Sequence, residues 1–149
     1  MSEAEKYSIS EQNKAIVRRF IEEIWNQGKL SVADELIAEE HVFHDPQYPG
    51  GEGLEALKQY ISSFRSAFPD LHFTIEDLLA EGDKVVERWT VTGTQTGDLP
   101  DIPATNQYGV VTGINIYRIS DGKIAEQWAA WDTLGMLQNL GVVPRAEDG

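Results

Sequence analysis

The hydrophobic residues of this chain change their rhythm once, near Pro69, and that change restricts the fold more than any motif does. Before it they recur at helical spacing; after it they alternate with polar residues, as half-buried strands require. From Ser10 to Gln27 the apolar positions Ile16, Val17, Phe20, Ile21, Ile24 and Trp25 predict the stripe of an amphipathic helix, and Gly28 stands where a left-handed residue ends one. Ser31 is placed to cap a second, short helix with Ala33, Leu36 and Ile37 turned inward. A brief strand over His41–Asp45 leads into a Pro/Gly loop. Leu54, Leu57, Tyr60, Ile61, Phe64 and Phe68 then mark a third helix closed by Pro69.

Beyond Pro69, Leu71, Phe73 and Ile75 alternate with His72, Thr74 and Glu76, and a Glu81-Gly82-Asp83 turn leads into a strand from Lys84 to about Thr96. A loop with Gly97, Pro100 and Pro103 precedes a strand from about Gln107 to Ile119. Asp121-Gly122 signals a hairpin, and the last strand runs from Lys123 to about Trp131. Helices first and a meander of long strands second is an α+β order, not the βαβ alternation of a nucleotide-binding sheet. The helices must lie across one face of a curved antiparallel sheet.

A length of 149 residues fits a single domain spanning 1–149, with an ordered core over about 10–142 between polar tails. The net charge of −13, with no local Lys/Arg cluster, argues against nucleic-acid and membrane-surface partners. With no cysteine, thiol nucleophiles, disulfides and thiolate metal sites are excluded by inventory. The polar, acidic start MSEAEKYSIS lacks the features of an export signal, so a cytoplasmic location is expected. Carboxylates, imidazoles, hydroxyls and aromatic rings remain to carry any chemistry.

A bent sheet wrapped around helices tends to enclose an apolar cavity, where an ionisable group has its pKa moved toward the working range. On the last strand Ile124, Glu126, Trp128, Ala130 and Asp132 share a parity. If Ile124 and Trp128 face the helices, Glu126 and Asp132 turn inward as well. Asp132 has two readings, a proton-transferring acid or the N-cap of a short helix at Thr133-Leu134-Gly135-Met136-Leu137. Glu126 is expected to pair with Arg118 or Arg88. Arg88 and Trp89 lie on opposite faces of their strand, and either can be the one that points in. His41 and His44 also fall on opposite faces, which argues against a metal site built with Asp45, and His72 sits on a polar face. Gly50-Gly51-Glu52-Gly53 lacks the Lys of a phosphate cradle, so flexible helix entry is its expected role. Without a G-x-S-x-G elbow a serine hydrolase triad has no anchor.

The chain resembles the SnoaL-like polyketide cyclases of the nuclear transport factor two-like superfamily from about Asn13 to Gly141. The resemblance is carried by Asn13-Lys14 through Trp25-Asn26, His44-Asp45-Pro46, Arg88-Trp89-Thr90 with Gly93-Thr94 and Gly97, and Gly113-Ile114 with Tyr117-Arg118. Asp121-Gly122-Lys123-Ile124, Glu126, Trp128, Asp132, Leu137-Gln138 and Leu140-Gly141 complete it. It implies a cone-shaped α+β barrel of cystatin-like form, usually a homodimer through the outer sheet face, with no cofactor. It further implies a small hydrophobic substrate. In the characterised cyclases an aspartate near the end of the last strand is the acid/base of an intramolecular aldol closure, and Asp132 matches that position. Those cyclases place a histidine about one strand earlier, where this chain has Asn115, Tyr117 and Arg118. The loop that reads Pro-Thr-Gly in many relatives is Ala104-Thr105-Asn106. Limonene epoxide hydrolases, which are related, pair an Arg with an Asp two residues on; here Arg88 is followed by Thr90, which disfavours epoxide hydrolysis. Ketosteroid isomerase, of the same superfamily, holds a neutral carboxylic acid in such a cone. The expected site is therefore Asp132 and His44 as catalytic groups, with Trp128, Arg88, Glu126, Asn115 and Trp25 contacting substrate. The other readings are a ligand-binding or dimerisation module without catalysis, and a hydratase or hydrolase using the same pocket.

Overall fold

A computed structural model describes residues 1–47 and 52–145. Gly50 and Gly51 of the glycine-rich segment and the tail from residue 146 lie outside the described residues. The first helix, α1 (Glu3–Arg19), starts earlier than the periodicity suggests, because Ser2 accepts a hydrogen bond from the Glu5 N–H and Glu3 and Glu5 place negative charge in the first turn. It continues as a π-helical segment over Phe20–Asn26. Apolar pairs spaced by four overshoot an α turn of about 3.6 residues, and the wider π turn lets Phe20, Ile21, Ile24 and Trp25 all stay buried. Gly28 then adopts φ +74°, as the helix stop requires.

A 3-10 turn over Leu30–Val32 leads into α2 (Ala33–Leu36), and neither is capped by a side chain, so Ser31 does not take the capping role expected of it. The burial it was meant to serve is present: Ala33, Leu36 and Ile37 are buried. Strand β1 (Ile37–His44) follows, then α3 (Leu54–Ala67), β2 (His72–Glu81), β3 (Lys84–Thr94), β4 (Tyr108–Ser120), β5 (Lys123–Trp131) and α4 (Thr133–Asn139). The sheet order is β1-β5-β4-β3-β2. Strands β2 to β5 form the antiparallel meander, and β1 joins its edge parallel to β5. The fold is α+β, with the helices packed on the concave face of the sheet.

One irregularity decides which side chains face that concavity. Arg118 pairs with Glu126 but Ile119 pairs with Ile124, so Ala125 is an extra residue in β5. A bulge of one residue reverses the parity of everything beyond it. Ile124 is buried, and after the bulge it is Gln127, Ala129 and Trp131 that line the interior, not Glu126, Trp128 and Ala130. On β3 the inward set is Val85, Glu87, Trp89 and Val91, and on β4 it is Val111, Gly113, Asn115 and Tyr117.

Candidate active site

The concave face encloses a cavity of about 90 Å³. Its walls are aromatic. Trp25 from the π segment, Tyr60, Phe64 and Phe68 from α3 and its end, Phe73 from β2, Trp89 from β3 and Trp131 from β5 all contribute. Ring contacts knit them together, with Trp25 and Phe73 centroids 4.9 Å apart and Phe73 edge-on to Trp89 at 5.1 Å. This volume is below the roughly 150 Å³ that accommodates a benzene ring, so even a one-ring ligand such as acetophenone enters only as these side chains yield. Residues Met136, Asn139 and Leu140 of α4 and its end close one side, and Asn139 Nδ2 ties that helix to the Val110 carbonyl of β4 at 2.9 Å.

Few polar groups reach this space, and four of them form one directed chain. Trp89 Nε1 donates to Asn115 Oδ1 (3.1 Å), Asn115 Nδ2 donates to the Tyr117 hydroxyl (3.1 Å), and that hydroxyl donates to Glu87 Oε1 (2.6 Å). Trp89 can lie flat across β4 because its partner there is Gly113; a Cβ at that position would sit 2.3 Å from Trp89 Cζ2. The chain ends on Glu87, which is 0% exposed, and its Oε2 is without a hydrogen-bond partner among the described residues. Burial pushes the Glu87 carboxyl up to about 7, opposed only by the Tyr117 hydrogen bond. Burial and the neighbouring Glu87 charge drive the Tyr117 hydroxyl well above its ordinary range, so it stays a donor. A carboxyl poised near neutrality in an apolar space is suited both to taking and to giving a proton.

A second buried pair borders the cavity. His41, 1% exposed, faces Gln127 Oε1 through its Nε2 at 3.1 Å. Burial pulls the His41 imidazole down to about 4, so it is neutral at pH 7. Asp45 is also buried and accepts from Trp131 Nε1 at 2.9 Å, which fixes that ring in the cavity wall.

The residues picked from sequence divide between the two faces. Trp25 and Asn115 line the cavity. Glu126 and Trp128 do not, because the bulge at Ala125 turns them outward. There Glu126 accepts from Arg118 at 2.9 Å, as one of its two expected pairings required, and contacts His44 Nε2 at 2.6 Å, while the His44 ring stacks on Trp128. Those hydrogen bonds, from His44 first and Arg118 second, hold the Glu126 carboxyl below its ordinary value. His44 is therefore outside as well, and His41 takes the opposite face. Trp89 is the inward member of its pair; Arg88 points outward and bridges Asp77 at 2.7 Å. Asp132 is exposed and caps α4, its Oδ1 accepting from the Gly135 N–H at 2.8 Å. The acids expected inside were Asp132 and Glu126, and the acids found buried are Glu87 and Asp45. The signal for Glu87 was present, since it shares parity with Trp89 and Val91. Among the described residues no cluster of three or more His, Cys, Asp or Glu side chains could hold a metal ion.

The model of the SnoaL-like polyketide cyclase family matches residues 15–140. The chain belongs to that family. Solved structures agree in fold. TsrD from Streptomyces laurentii is 29% identical with a TM-score of 0.81, over 96% of this chain and 99% of that one. A proposed polyketide cyclase from Acidithiobacillus ferrooxidans is 33% identical with a TM-score of 0.78, over 88% and 95%. A proposed SnoaL-like polyketide cyclase from Jannaschia sp. CCS1 is 26% identical with a TM-score of 0.81, over 91% and 96%. Among curated proteins there is no match. No helix in the described residues is long and apolar enough to cross a membrane.

Proposed function

We propose that this chain carries out acid/base chemistry, without a cofactor, on a small hydrophobic carbonyl compound of the polyketide type, with Glu87 moving the proton. The observation that carries this reading is the buried Glu87 carboxyl with its unpartnered Oε2 in an aromatic cavity. An isolated buried acid costs stability, and such costs persist where chemistry needs them. As a carboxylate, Glu87 accepts a proton from a carbon next to the substrate carbonyl, and the electron pair passes into an enolate. Return of the proton to another carbon is isomerisation. Attack of the enolate carbon on a second carbonyl closes a ring, and the new alkoxide oxygen takes the proton back from Glu87.

In this reading Asp132 is a positioning residue, because the helix it caps carries Met136, Asn139 and Leu140 in the cavity wall. The test is deuterium uptake at the methyl carbon of acetophenone in D₂O, followed by NMR. Glu87→Gln is expected to slow the catalysed exchange at least about 100-fold, while Asp132→Asn, which keeps a good N-cap, leaves most of it. Exchange that survives in Glu87→Gln and disappears in Asp132→Asn would assign the acid/base role to Asp132 instead.

The outer sheet face supports a second proposal, a homodimer. Val110, Ile114 and Ile116 on β4 are 49%, 48% and 39% exposed and share one face, where Ile116 is opposite Trp128. Ile114→Asp combined with Ile116→Asp should give monomers by analytical ultracentrifugation; a wild-type chain already monomeric at the same concentration overturns it.

A further inference from the structure

A base that removes a proton beside a carbonyl needs a partner that receives the negative charge on the carbonyl oxygen. Glu87 cannot supply it while acting as base. Besides Glu87 and the Trp89-Asn115-Tyr117 chain that serves it, two carboxamides line the cavity; Asn139 on α4 is engaged at both ends, by the Val110 carbonyl and by Arg145, which leaves Gln127 on β5, 2% exposed. Its carboxamide has an acceptor end and a donor end, and the structure distinguishes them. Gln127 Oε1 faces His41 Nε2 at 3.1 Å, a contact that requires the tautomer with its proton on Nε2; the imidazole then donates and the amide oxygen is occupied. Among the described residues nothing accepts from Gln127 Nε2, which leaves two N–H donors for a ligand.

The placement across the sheet suits two ends of one small molecule. Glu87 is opposite Asn115 and Gln127 is opposite Tyr117, so the two side chains rise from β3 and β5 on either side of β4. Two strand spacings are about 9.6 Å, and the two-residue step from Asn115 to Tyr117 brings the backbone separation to about 12 Å. A ligand lying over Asn115 and Tyr117 of β4 would present its carbonyl oxygen to Gln127 and the neighbouring carbon to Glu87. We propose that Gln127 is a catalytic residue, its Nε2 donating to the substrate carbonyl oxygen and to the oxyanion that develops there, and that His41 is the positioning residue that fixes its amide. This rests on the reading of Glu87 as the base. His41 suits the task because it stays neutral: a protonated imidazole would place a charge in the core and donate from both nitrogens. A donor preorganised by a buried neighbour loses little in reorganising when charge appears on the oxygen.

The test uses the full-length protein and acetophenone labelled with ¹³C at the carbonyl, read by infrared difference spectroscopy beside the exchange assay. In wild type the bound C=O stretch is expected at lower frequency than in hexane, and Gln127→Met, which conserves volume, should return it toward the hexane value and weaken binding about tenfold. Gln127→Leu repeats the measurement should the Met variant fail to fold. His41→Phe should split or broaden the band, since the amide is then free to turn, an effect that lost packing alone does not produce. Glu87→Gln should keep the shifted band while losing exchange. A band unchanged in the Gln127 variants, or one lost only in Glu87→Gln, overturns the proposal for Gln127 and leaves Glu87 standing. Wild-type protein that binds the ketone and shows no exchange overturns the Glu87 reading itself.

Discussion

Glu87 and Glu126 are the same side chain on two faces of one sheet, and the difference between them is instructive. Glu126 on the convex face has two cationic or potentially cationic partners and is held below its ordinary pKa. Glu87 on the concave face has one neutral donor, no counter-charge, and is pushed up to about 7. A surface ion-pair network is what a solvated sheet gains at little cost. A buried acid without a counter-charge is a burden on the fold, and this one stands at the aromatic wall of the cavity.

The widest expected gap between these faces is in activity. Glu87→Gln should reduce exchange at least about 100-fold, whereas Glu126→Gln should leave it within about twofold of wild type. Equal losses in both variants would erase the distinction.

Stability against pH separates the concave pair from everything else. The Glu87 carboxyl titrates near 4.5 in the unfolded chain and at about 7 in the folded one. The folded state therefore holds the extra proton between those values, and stability falls as pH rises through this window, by roughly 3 kcal/mol in all. His41 runs the other way. It is 6.5 unfolded and about 4 folded, so its contribution is complete above 6.5 and is lost as pH falls toward 4. From about pH 4.5 to 6.5 the two slopes oppose each other. Urea denaturation of Glu87→Gln over this range should show stability rising with pH, and His41→Phe should show it falling. Parallel profiles for the variants and wild type would count against both burials.

Smaller effects belong to the convex side and the ends. Asp132→Ala removes the α4 cap and should cost about 1 kcal/mol, visible by thermal denaturation, while Asp132→Asn should cost only a small part of that. Glu126→Gln should move the melting temperature by about 2 °C at most.

The helix stripes and the boundaries of β2 to β5 were legible because burial imposes a period on the sequence, and Gly28, Pro69 and Asp121-Gly122 punctuate it; β1 instead begins at Ile37, four residues before the expected His41 and inside the expected second helix. The hairpin residues Asp121 and Gly122 have φ of 52° and 76°, as a two-residue turn of this kind needs. Which face each strand presents was less legible. Parity counting from Ile124 places Glu126 and Trp128 inside, and it fails because Ala125 is inserted opposite the partner strand, a feature with no local sequence mark. On β3, where no bulge intervenes between Val85 and Val91, parity holds, and Glu87 could have been found by following Trp89 inward. Ser31 failed as a cap because the chain enters α2 through a 3-10 turn already closed by backbone bonds, Val32 donating to the Lys29 carbonyl. The beginning of α1 was missed since its first turns are exposed and show no apolar stripe, leaving the Ser2 cap to set them.

Gly113 contributes no side-chain atom to the cavity, yet the position of the Trp89 ring depends on it. A single methyl group there would lift the indole off β4, part Nε1 from Asn115 and shrink the space in front of Glu87. Position 113 is thus a size gauge that operates from behind the wall, setting both the space in front of Glu87 and the first bond of the chain that reaches it.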